Sequence, residues 1–160
     1  MEIILWRHAE AEDGADDMAR ALTARGVRHA ARVGRWLGTQ VNGSWRILVS
    51  PALRARQTAA GLGMPFSIEP GIAPGAPASA VLQASGWPDG RSNVIIVGHQ
   101  PTLGEVAALL MTGSRADVAI RKGAAWWFSV PAAGSRGAAR EVRLKAVVGP
   151  EVARRLGSRA

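Results

Sequence analysis

Three apolar runs in this chain each stop abruptly on a basic or polar group: "IILWRH" at 3–8, "ILVSPALR" at 47–54 and "VIIVGHQP" at 94–101. Short, continuous apolar runs of this kind read as strands buried on both faces, as in parallel sheets covered by helices. Helix-like stretches alternate with them, which predicts an α/β layered fold. The pattern places strands at 2–7, 45–49, 94–98, 125–130 and 141–147, with a weak one at 66–69. Helices are expected at 23–40, 51–62, 78–85, 102–112 and 150–156. Two helix starts carry capping signals: Ser50 as N-cap before Pro51, and Thr102 with Glu105 as a capping box. Residues 61–93 concentrate proline and glycine and read as a surface excursion with one short helix, not a linker.

The chain has 160 residues, 48% of them hydrophobic. That suits one domain over 1–160, burying roughly two thirds of its unfolded surface. Without cysteine, disulfides, thiolate catalysis and a Cys-rich zinc site are excluded. The first apolar run breaks at Arg7, too early for a signal peptide. "NVIIVGH" falls far short of the ~20 residues that span a bilayer, so a cytoplasmic, non-membrane protein is expected.

A formal charge of +8 attracts polyanions. Eighteen of the twenty basic residues are arginine, however, with only Lys122 and Lys145 as lysines, and codon bias in a GC-rich genome produces that as readily as function does. On the helix at 23–40, Arg25, Arg28, Arg32 and Arg35 share one side, with Val27, Ala30, Gly34 and Leu37 opposite. This reads as a solvated face. Nucleic acid is not the expected partner, since only Trp36 accompanies the arginines. His29 lies on the same side and is expected at the surface. Trp126 and Trp127 alternate across a strand, so one belongs to the core. Lys122 precedes that strand and is a weak candidate to approach the pocket from its side.

In a sheet with helical crossovers, ligands sit beyond the carboxyl ends of the strands. If the three runs are neighbours, Arg7, His8, Arg54 and His99 face one pocket, flanked by helix N-termini. Such a pocket suits a phosphate dianion, because arginine presents a permanently charged fork to phosphate oxygens. These strand ends carry no cysteine and no acid-rich metal cage, so imidazole is the expected nucleophile: His8 takes the phosphoryl group while His99 stabilises the transferring oxygens. A buried strand mounts such a residue more stiffly than a loop.

Taken jointly and in this order, "LWRHAEAE", "DDMARALTARG", "ILVSPALRARQTA" and "VIIVGHQPTL" resemble the histidine phosphatase (phosphoglycerate mutase-like) superfamily, and within it the short SixA-type phosphohistidine phosphatases. The resemblance implies a three-layer α/β/α sandwich around a mostly parallel sheet. It implies His8 as the phosphorylated nucleophile, Arg7 and Arg54 as the phosphate clamp, His99 as the second histidine and Arg20 as a substrate contact at the rim. No metal or organic cofactor is expected.

The sequence departs from the family pattern twice. Ala9 replaces the glycine of the usual Arg-His-Gly, which works only if residue 9 avoids positive φ. The general acid of larger relatives lacks a counterpart: "EPGIAPGAP" offers Glu69, and the next carboxylate is Asp89. Glu10 and Asp17, among the acids crowding 10–17, are the candidates. A doubtful acid favours phosphoramidates, because imidazole leaves more easily than an alkoxide. The expected partner is a histidine-phosphorylated protein. The alternatives are a phosphatase for a small phosphorylated metabolite and a non-catalytic module that binds phosphate or nucleic acid.

Overall fold

In the computed structural model, which describes residues 1–131 and 141–157, six strands form one sheet. They are β1 (Glu2–Arg7), β2 (Trp45–Val49), β3 (Ser67–Ile68), β4 (Asn93–Gly98), β5 (Ala125–Ser129) and β6 (Arg143–Val148), in the order β3-β2-β4-β1-β5-β6. The pairings from β3 to β1 are parallel, and β5 and β6 extend the sheet antiparallel. The helices are α1 (Ala24–Gln40), α2 (Leu53–Ala60), α3 (Ala78–Ser85), α4 (Thr102–Thr112) and α5 (Pro150–Gly157).

Alternation along the strands divides the core. Ile4, Trp6, Ile47, Val49, Ile95 and Val97 face α1, α2 and α5, whereas Ile3, Leu5, Val94 and Ile96 face α3 and α4. The result is the expected three-layer α/β/α sandwich. Ile3 to Trp6 are wholly buried, and each such aliphatic side chain contributes about 1.5–3 kcal/mol relative to exposure.

Several local expectations need correction. Helix α2 starts at Leu53, because Pro51 and Ala52 form a bend after the strand end; Ala52 is its N-cap without a side-chain cap bond, and Ser50 makes no helix cap. The capping box at α4 does not form. Pro101 already has helical dihedrals, and the Thr102 hydroxyl donates to the Ala76 carbonyl. Val27 is 52% exposed, since the buried stripe of α1 is Gly26, Ala30, Val33, Gly34 and Leu37. His29 is half-buried, because α5 packs over α1 and brings Glu151 to 3.9 Å. Trp127 is the buried member of its pair and meets Trp36 and Trp45 edge-on.

Helix α2 lies unusually close to α1. A Cβ on Gly34 would stand 2.2 Å from the Gly61 carbonyl oxygen, and one on Gly61 would stand 2.7 Å from Ala30 backbone. Only hydrogen fits between these backbones, so the pair fixes the seat of the helix that carries Arg54. Gly34→Ala is expected to cost about 1–3 kcal/mol by overpacking. Gly38→Ala, whose new Cβ meets nothing nearer than 3.8 Å, is expected to stabilise by about 0.5–1 kcal/mol through helix propensity. Chemical denaturation of the two variants checks the opposite signs.

Candidate active site

Register brings the three polar strand ends together. Arg7 pairs with Gly98 between β1 and β4, and Val49 with Val97 between β2 and β4. One residue further on, the His8 amide donates to the Gly98 carbonyl and the Ser50 amide to the Val97 carbonyl, each at 3.0 Å. His8, His99 and Ser50 thus leave three adjacent strands side by side. Arg54 follows in the first turn of α2.

The His8 ring is buried, and its nitrogens have different partners. Nδ1 lies 2.7 Å from the Ala9 carbonyl and therefore donates to it, while Nε2 accepts from Nε of Arg54 at 3.3 Å. Both contacts call for the same tautomer, with the proton on Nδ1 and the Nε2 lone pair toward the guanidinium. Burial lowers the His8 pKa to about 4, opposed by the Ala9 hydrogen bond and assisted by the charges of Arg54, Arg7 and Lys122. The His99 ring centroid is 5.2 Å from that of His8. Burial lowers its pKa to about 3, with His8 and Arg54 adding to the effect. Two uncharged imidazoles thus stand beside two guanidinium groups at physiological pH.

Arg7 donates through Nη1 to the Ile120 carbonyl at 2.7 Å, and its buried Nε has no partner among the described residues. Arg54 is nearly enclosed, with Nη2 2.9 Å from Oδ2 of Asp17 and Nη1 donating to the Asp17 carbonyl. Arg20 sits one step out: its Nη1 donates to Oδ1 of Asp17 at 3.1 Å and its Nε to the Glu12 carbonyl at 2.7 Å. Lys122 is exposed, yet its charge reaches His8.

The two carboxylates differ in place. Glu10 accepts from the Thr23 hydroxyl and from Arg25, which ties it to the start of α1 and not to His8. Asp17 is at the pocket, against Arg54. Hydrogen bonds from Arg25 and Thr23 hold the Glu10 carboxyl below its ordinary value, and that from Arg54 does the same for Asp17. Both are ionised near neutral pH, a state that accepts protons. The Glu69 side chain is turned to the Gly71 amide. Ala9 is buried without positive φ, as its replacement of glycine requires.

Sequence reasoning missed the residues that brace this arrangement. Buried Thr58 accepts from the Ala9 amide at 3.0 Å and donates to the Arg54 carbonyl at 2.7 Å, joining the nucleophile's loop to the helix of the clamp. Gln57 accepts from the Leu22 amide at 2.7 Å and holds the same loop further along. Ser50, read as a helix cap, lies with its Oγ 2.6 Å from Nε2 of His99. The signal was present in "SPALRARQT", where three polar residues stand in an otherwise apolar and basic stretch. Among the described residues, no group of three or more His, Cys, Asp or Glu is placed to hold a metal ion. None of the described helices is long and apolar enough to cross a membrane.

The model of the histidine phosphatase superfamily (branch 1) matches residues 3–75. The phosphohistidine phosphatase SixA of Escherichia coli K12 is 35% identical over 71% of this chain and 76% of its own. The solved structure of a protein from Nakamurella multipartitia assigned to the phosphohistidine phosphatases SixA superposes with a TM-score of 0.77 at 26% identity, covering 93% of this chain and 95% of that one. A protein histidine phosphatase SixA complexed with tungstate gives 0.74 at 28% identity, with 94% and 97% covered. By sequence and by fold, this chain belongs to the histidine phosphatase superfamily.

Proposed function

We propose that this protein is a phosphohistidine phosphatase, one domain over 1–160, that takes the phosphoryl group of a histidine-phosphorylated protein onto His8. The observation that carries the reading is the His8 ring itself. Its proton is held on Nδ1 by Ala9, and its Nε2 lone pair is directed at the guanidinium of Arg54. The named activity of relatives at this level of identity supports the substrate class.

In the first step the Nε2 lone pair attacks phosphorus, and the P–N bond to the substrate imidazole breaks with its electron pair going to nitrogen. A substrate ring already protonated on its other nitrogen leaves as neutral imidazole and needs no acid from the enzyme. Arg7 and Arg54 balance the charge of the phosphoryl oxygens, with His99 beside them. In the second step water attacks phosphorus and the P–Nε2 bond breaks with its electron pair returning to Nε2, while both protons of the water leave on the phosphate as dihydrogen phosphate. Ionised Asp17 and Glu10 fit this chemistry better than ester cleavage, where an alkoxide has to be protonated. Arg20, linked to the pocket through Asp17, is the rim contact for the substrate.

The test is phosphate release from a histidine-phosphorylated protein and from a panel of small phosphate esters. Wild type is expected to turn over the phosphoprotein and to leave alkyl esters at least about a hundredfold slower for want of a positioned acid. His8→Ala is expected to be inactive on both, and equal release by the two proteins would overturn the assignment. Fast ester hydrolysis would move the reading to a small-molecule phosphatase.

Titration supplies a second test. With folded values of about 4 for His8 and about 3 for His99 against an ordinary 6.5, both rings stay neutral as pH falls through 6.5. Their contribution to stability is complete above that value and is lost as pH drops toward 4 and then 3. In an NMR titration, the His8 signal, assigned by its absence in His8→Gln, is expected to show its midpoint near pH 4. A midpoint near 6.5 would remove the basis for a permanently neutral nucleophile.

A further inference from the structure

Ser50 has no exposure to solvent, and its hydroxyl has two neighbours within hydrogen-bond reach: the Ala52 amide at 3.4 Å and Nε2 of His99 at 2.6 Å. The amide is a donor and takes one of the oxygen's lone pairs. The hydroxyl's own proton needs an acceptor, since leaving it unpaired in the interior costs about 1–3 kcal/mol. Among the described residues, the acceptor within reach is Nε2 of His99. If that nitrogen accepts, the single proton of the neutral ring stands on Nδ1. Nδ1 is itself closed off from solvent and has no partner among the described residues.

We infer that Ser50 is a positioning residue that fixes His99 as the Nδ1–H tautomer, so that the ring offers a donor rather than a lone pair to the oxygens of the transferring phosphoryl group. The inference rests on the phosphatase reading for its consequence, but not for its geometry. Burial keeps the His99 ring uncharged, so the tautomer, not protonation, decides whether it attracts or repels an oxyanion. The wrong tautomer would place a lone pair against phosphate oxygens. It would also leave the Ser50 proton without an acceptor.

The experiment is a long-range proton–nitrogen NMR spectrum of the full-length protein labelled with 15N-histidine, with His99 assigned by its loss in His99→Gln. In wild type, Nδ1 is expected to read as the protonated nitrogen and Nε2 as the unprotonated one; the reverse would overturn the inference with no variant needed. In Ser50→Ala this preference is expected to weaken, and kcat on the histidine-phosphorylated protein to fall about tenfold or more, toward the roughly hundred- to thousandfold typical of losing one oxyanion donor outright. KM is expected to change by no more than about twofold, because the interaction belongs to the transition state. Ser50→Thr, which keeps the hydroxyl, is expected to restore both the spectrum and kcat. A folded Ser50→Ala with unchanged kcat would refute the role. If Ser50→Ala does not fold, the wild-type spectrum still decides. Absence of turnover in wild type would count against the phosphatase reading, while the spectrum would still judge the tautomer.

Discussion

The site depends on one constraint, the parallel in-register pairing of β2, β4 and β1. Parallel pairing aligns carboxyl ends, so residues just beyond each strand become neighbours although they are remote in the chain, as His8 and His99 on adjacent strands are. A slip of one residue in β1 would turn Ile4 and Trp6 to the opposite face of the sheet and swing His8 away from the Gly98 carbonyl that now receives its amide. The fully buried apolar runs make such a slip costly. The precision of the polar cluster is thus a by-product of core packing on both faces of the sheet.

On this frame the electrostatics are tuned mainly by burial. Two histidines that would titrate near neutrality in water are driven well below it, chiefly because the interior does not solvate an imidazolium. The arginines keep their charge, so the pocket is cationic through guanidinium and nucleophilic through imidazole. Asp17 completes the balance. Its half-exposed carboxylate sits on the nearly enclosed guanidinium of Arg54, where a dianionic phosphoryl group can take its place. Under the proposed function, binding is therefore an exchange of one anion for another at Arg54, with Asp17 remaining tied to Arg20.

Much of this was legible because the sheet writes itself plainly: continuous apolar runs ending in Arg-His, Ser-Pro and Gly-His announce buried parallel strands and what they deliver. Helix faces were read less well. Val27 looked like a core position of α1, but the contact there belongs to Gly26 and Gly34, whose role is backbone approach to Glu10 and Gly61 and leaves no hydrophobic signature. Ser50 and Thr102 were assigned to caps because capping is the commonest local use of a hydroxyl, whereas long-range partners, His99 and Ala76, claimed both. Glu10 and Asp17 could not be told apart by sequence. Only the fold shows that one faces the start of α1 and the other faces Arg54.

In the proposed mechanism Arg7, His8, Arg54 and His99 close around one tetrahedral anion. A crystal structure with tungstate bound tests this most directly. The anion is expected at Nε2 of His8, with both guanidinium groups and Nδ1 of His99 about 3 Å from its oxygens, and with Asp17 withdrawn from Arg54. Tungstate held elsewhere, with the Asp17–Arg54 pair intact and Nε2 of His8 still on the guanidinium, would contradict it.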